Sequence, residues 1–213
     1  EYPTTQRAII NSLILALGGS CVTMVICVFI SWILLRTSIR FRRVLEYLAM
    51  LPLSVPAIVF SVGLLWAWIR FPFLPIYGTL WILLIAYISI FLPYGVRAIN
   101  STLMQIDKSL EECAQMCGAS WGYRIRTVTM PLLRPGLLAA WLLLFIASVR
   151  ELGASIMLMG PKAKVITPAI VESWFATSSE LTASMALIQT LVVSVAVVLL
   201  IVFTRRLSQY GGE

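Results

Sequence analysis

The chain has 213 residues, of which 60% are hydrophobic and only 12% charged, with a net charge of +7 and a mean hydropathy of +0.95. A soluble domain of this length needs a larger polar surface, so lipid must be the solvent for most of the chain. No His is present and the four Cys follow no framework spacing, which removes most of the ground for a zinc enzyme, a serine triad or a disulfide scaffold.

The chain opens EYPTTQRAIINS, and its first apolar run is too long and too weakly flanked for a cleaved signal peptide. We expect a portion of a longer polypeptide, with a second transmembrane half preceding Glu1. Five segments meet the requirement of about 20 apolar residues for crossing the hydrocarbon core, at 11–35, 45–69, 79–96, 136–158 and 185–204. The predicted fold class is therefore all-α, a polytopic membrane helical bundle.

Arg36, Arg40, Arg42 and Arg43 follow the first span, and Pro52 and Pro56 fall inside the second. Each proline removes a backbone donor and disfavours straight helix, which serves either a kinked packing helix or a gating hinge. A short loop, 70–78, leads to the third span, and the long polar loop 97–135 follows with Arg97, Lys108, Arg124, Arg126 and Arg134. Arg205 and Arg206 close the fifth span. These basic residues cap apolar runs instead of forming one stripe, which argues for membrane topology against nucleic acid.

The positive-inside rule puts the three basic regions in the cytoplasm, with the N-terminus and the loops 70–78 and 160–184 outside and the C-terminus inside. Trp66, Trp68 and Trp81 then fall in an outer aromatic belt, and Trp32 and Tyr94 in the inner one.

Within the long loop, Asp107 and Ser109 offer capping oxygens to a short helix over 110–117, and Gly118 suits its left-handed terminating position. Ser120 can cap a second helix over 121–129, which Pro131 closes. Cys113 and Cys117 share a helical face, but two thiolates make an incomplete metal site, and no metal is expected.

This run resembles the EAA loop of binding-protein-dependent ABC-transporter permeases: Glu-Ala-Ala, three residues, Gly, nine residues, then Ile-x-Leu-Pro. Glu112, Cys113, Ala114, Gly118, Val128, Met130 and Pro131 occupy those positions, with Cys113 in place of an Ala and Val128 and Met130 as apolar equivalents. The resemblance covers essentially the whole chain and implies a MetI-like transmembrane domain. It also implies that the loop is a coupling helix docking on a separate ABC ATPase subunit, with Glu112 pairing across the interface and Ala114 and Gly118 allowing close approach. The chain has no GxxxxGK[ST] phosphate loop, so it is expected to be no enzyme and to hold no cofactor. The further partners implied are an external solute-binding protein and a second permease half, fused or separate. A fused permease, of which this is the C-terminal half, is favoured.

Arg150 and Glu151 interrupt the fourth span, where each ionised group costs about 2.5–3.5 kcal/mol near the bilayer centre. Two readings stand: an Arg150 that snorkels to the outer interface with Glu151 neutralising a partner, or a pair lining the translocation path. ASVRELGASIML around them resembles the corresponding span of iron(III) permeases, with related versions in sulfate, molybdate and thiamine permeases. That resemblance makes ferric iron the expected cargo, with sulfate, molybdate, thiamine or polyamine as alternatives; a hard ferric ion favours carboxylate oxygen, but Glu151 alone is a poor binding site. The loop 160–184 either docks the solute-binding protein, through a short helix over 170–175, or merely covers the bundle. An ion-coupled transporter or channel, or a scaffold without transport, needs only the spans and leaves the helix-glycine-helix loop unexplained.

Overall fold

The computed structural model describes the backbone of residues 2–70, 76–161, 163–176 and 179–210, and side chains between residues 4 and 202 within those ranges. Lys162, the loop residues 71–75 and the side chains of Arg205 and Arg206 lie outside the described residues. Every regular element among the described residues is helical.

The centre of the bundle is three long helices, α1 (Tyr2–Arg36), α4 (Leu80–Met104) and α7 (Met130–Val149). Their approach is set by small residues. A Cβ on Gly95 of α4 would lie 2.5 Å from the Cys27 sulfur of α1 and 3.3 Å from Leu144 of α7, so a glycine is what lets the three backbones converge. Ile82, Leu83, Ala86, Val96 and Ile99 of α4 are fully buried in the same seam. The outermost helix, α10 (Ser179–Tyr210), keeps an exposed apolar stripe that includes Leu187, Leu191, Val195 and Val198. Such a face is stable only against lipid or another protein.

The second predicted span is not one helix. It is α2 (Arg42–Met50), a tight turn at Leu51–Ser54, and α3 (Ala57–Arg70), bent by 107°. The prolines cause the break locally. Val55, which precedes Pro56, takes an extended conformation (φ −116°, ψ 127°), as the pyrrolidine ring demands of its neighbour, and Pro56 then offers its carbonyl to the Phe60 N–H to start α3. At 14 residues α3 is about 21 Å long, too short to cross about 30 Å of hydrocarbon alone. The described residues thus hold four helices able to cross a membrane, or five crossings when the bent pair counts as one.

The fourth predicted span also breaks. Its helix begins much earlier than residue 136, running continuously through α6 (Trp121–Arg124), a wide π-type turn at Ile125–Thr129, and α7. It stops at Val149, and a separate turn of helix, α8 (Gly153–Leu158), follows. Pro131 therefore does not close a short helix; it sits in the first turn of α7, where its missing N–H is accommodated by the widened turn before it.

The loop beyond α8 is tied into the bundle. Its helix is α9 (Ile166–Phe175), longer than the expected 170–175, with Ile166, Pro168, Ala169 and Ser173 buried. Ser12 of α1 accepts the Ile166 N–H at 2.7 Å, and Asn11 donates to the Lys164 carbonyl at 2.9 Å. Gly160 and Gly78 meet backbone to backbone at this end, so the two loops close on each other.

Candidate functional site

The polar segment forms α5 (Lys108–Met116), a glycine turn and the start of α6. Asp107 caps α5 by accepting the Ser109 N–H at 2.9 Å, and that bond holds its carboxyl below the usual carboxylate range. Gly118, at φ +83°, ends the helix: its N–H donates to Gln115 O at 2.9 Å, and the Ala119 N–H donates to Ala114 O at 3.0 Å. These two bonds make a Schellman stop, which favours a residue without a Cβ. Ser120 occupies the next cap position, but its side chain makes no capping bond.

Within this unit Glu112, Cys113, Gly118, Met130 and Pro131 are exposed, and Ala114 and Val128 are half-buried. Leu110, Met116 and Tyr123 of the same unit are exposed, Met116 at 90% and one helical turn from Glu112. Exposed Met and Tyr are residue types enriched at protein interfaces. No third His, Cys, Asp or Glu joins Cys113 and Cys117 as a metal-binding group among the described residues.

The residue missed from the sequence is Glu111. Its Oε1 accepts from Arg36 Nε at 3.0 Å and from the Thr129 hydroxyl at 3.2 Å, with the two charged side chains only 6% and 15% exposed. Arg36 also donates to the carbonyls of Leu103 (3.3 Å) and Ile106 (2.8 Å) at the end of α4. Arg124 donates to Gln115 Oε1 at 2.6 Å. One buried charge pair therefore joins α5 to α1, α4 and the entry of α7. Arg36 is consumed in this knot and is no free surface charge. Glu111 and Ala114, three apart and both half-buried, share the inward face of α5.

Of the intramembrane candidates, the structure brings the two breaks together. A Cβ on Gly153 would lie 3.2 Å from Ala57 and 3.3 Å from Ile58 at the start of α3, directly after Pro56. Glu151 is not a free carboxylate. Its oxygens accept the Ala154 N–H (2.9 and 3.1 Å), the Ser155 N–H (3.1 Å) and the Ser155 hydroxyl (3.1 Å), so it caps α8. Ser155 is held in turn by Tyr87 at 2.6 Å. Arg150 is exposed and makes no ion pair among the described residues. Tyr94 lines a cavity of about 350 Å³ with Pro52, Ser54 and Pro56, so it belongs to the break and not to an interfacial belt.

A polytopic helical bundle with discontinuous spans and a helix-glycine-helix handle held by a buried ion pair defines the class, that of membrane transport domains. The chain belongs to the family described as binding-protein-dependent transport system inner membrane components, matched over residues 25–210. Among its relatives is PhnV of Salmonella paratyphi A, a permease assigned to 2-aminoethylphosphonate transport, 30% identical over 72% of this chain and 58% of that one. The Fe(3+)-transport system permease protein FbpB 2 of Haemophilus influenzae is 27% identical over 81% of this chain. The chain thus spans 58% of the first relative's length and 34% of the second's. A solved MetNI methionine ABC transporter, in inward-facing conformations, superposes with a TM-score of 0.74 at 17% identity, covering 94% of each chain, which shows the MetI-like fold.

Proposed function

We propose that the chain is the transmembrane permease portion of an ATP-driven importer, with ATP hydrolysis on a separate ABC ATPase subunit. The observation that carries this reading is the handle: a capped helix presenting Glu112 outward while Glu111 fastens the same helix to three bundle helices. A docking element must be exposed on one face and rigidly tied on the other, and α5 satisfies both conditions. The basic residues Arg40, Arg42 and Arg43 lie at the same end, which supports a handle in the cytoplasm, the N-terminus outside and the C-terminus inside, with the bent pair as one of five crossings. A second permease half, fused to this one or separate, completes the path, and an external solute-binding protein docks at the loop 160–184. Ferric iron is the proposed cargo, supported by the ferric permease relative; the phosphonate relative keeps oxyanions beside it.

Cys113 gives a direct test, because it is an exposed thiol within the handle. In membranes containing the whole transporter, a short bifunctional maleimide should join Cys113 to a cysteine placed in the ATPase groove, with a yield that changes between the nucleotide-free and ATP-bound states. Labelling of Cys113 that never yields a cross-link to the ATPase would reject the docking role.

A further inference from the structure

The two chain breaks lie at one level of the bundle. Gly95 of α4 meets Leu144 of α7, and the helices run antiparallel; six residues further along α7, Arg150 is level with about residue 89 of α4, since both rise about 1.5 Å per residue. The cavity at the other break is lined by Ile90 and Tyr94 of α4, at nearly the same height. That height is near the middle of α4, far from both of its ends. Non-helical backbone at such a depth is stable only where it is buried in protein or faces water.

The charges at this level are one-sided. Glu151, the acid here, has its carboxylate committed to α8 and Ser155. Arg150 is exposed without an ion pair among the described residues, and an uncompensated cation at mid-depth cannot rest against hydrocarbon. Arg97 lies one turn from Tyr94 on the same face of α4 and is likewise exposed and unpaired among the described residues. Glu46 sits well away along α2, close to Arg42 and Arg43.

We propose that the juxtaposed breaks at Leu51–Pro56 and Arg150–Leu152 form the mid-depth constriction of the path, and that Arg150 makes it selective for a cargo carrying net negative charge. The cargo class is an oxyanion or an anionic metal chelate; ferric iron would cross as such a chelate and not as a bare cation. The proposal rests on the permease reading.

Thiol accessibility tests it without knowledge of the cargo. In the whole transporter, in membranes and with the four native cysteines replaced, Ser54→Cys reports from the opposite break. An anionic methanethiosulfonate should modify it faster than a cationic one by about 10-fold, the order expected of one nearby uncompensated charge in a partly wet site. The preference should persist in Arg150→Lys, fall by about threefold or more in Arg150→Gln, where Arg97 remains, and weaken with added salt. Equal or inverted rates with Arg150 present, or a preference unmoved by salt and by Arg150→Gln, would overturn the proposal. So would failure of both reagents to react, which would mean that the break is covered by lipid or by the second half. Where Arg150→Gln fails to assemble, the salt dependence of the Arg150 protein decides. None of these readings uses ATP, so loss of ATP-driven import would refute the importer and leave them standing.

Discussion

Glu111 and Glu112 are adjacent carboxylates with opposite surroundings, and the difference predicts opposite phenotypes. Glu111 is held by Arg36 and Thr129 in a nearly closed site, where removing one member strands a buried charge at a cost of about 3–5 kcal/mol. Glu111→Gln or Arg36→Ala should therefore lower the thermal unfolding midpoint of the purified transporter and loosen α5. Glu112 is exposed, and Glu112→Ala should change stability by less than about 0.5 kcal/mol while reducing the cargo moved per ATP hydrolysed. Equal destabilisation by both substitutions would contradict the assignment of one acid to the bundle and the other to the partner.

At the scale of elements, Gly118 is the turn within the handle that ends α5 and sets its angle to α6. Its φ of +83° costs an L-residue about 1–2 kcal/mol, although a Cβ there would meet nothing within 4 Å. Gly118→Ala should thus cut coupled transport about 5–30-fold through backbone geometry alone, with Gly118→Asn milder and Gly122→Ala, equally open and not in the left-handed region, near neutral. These turn features were legible from residue chemistry because they are local: an Asx cap before a helix and a glycine after it. The inward role of Glu111 was not, since neighbouring residues differ by only 100° around a helix and the choice of face belongs to α1. The breaks were half legible. Pro52 and Pro56 announced a bend, but Arg150–Leu152 was absorbed into an apolar window, because hydropathy averaging cannot register a carboxylate that caps the next turn. Pro131 misled in the other direction, as the π-type turn lets one helix run from Trp121 to Val149.

At the scale of the whole molecule the chain is a membrane transport domain of the binding-protein-dependent family. Its closed seam is α1, α4 and α7, its open faces are the α10 stripe and the mid-depth breaks, and its handle sits at the end where basic residues gather. On the proposed function, an external energy source acts on it through the handle. The central claim is therefore tested by uptake into proteoliposomes holding both permease halves and the ATPase, with cargo supplied on the solute-binding protein. The account predicts accumulation that requires ATP on the handle side, persists when ion gradients are collapsed by ionophores, and falls about 5–30-fold in Gly118→Ala. Accumulation that continues without ATP and stops when ion gradients are collapsed would contradict it.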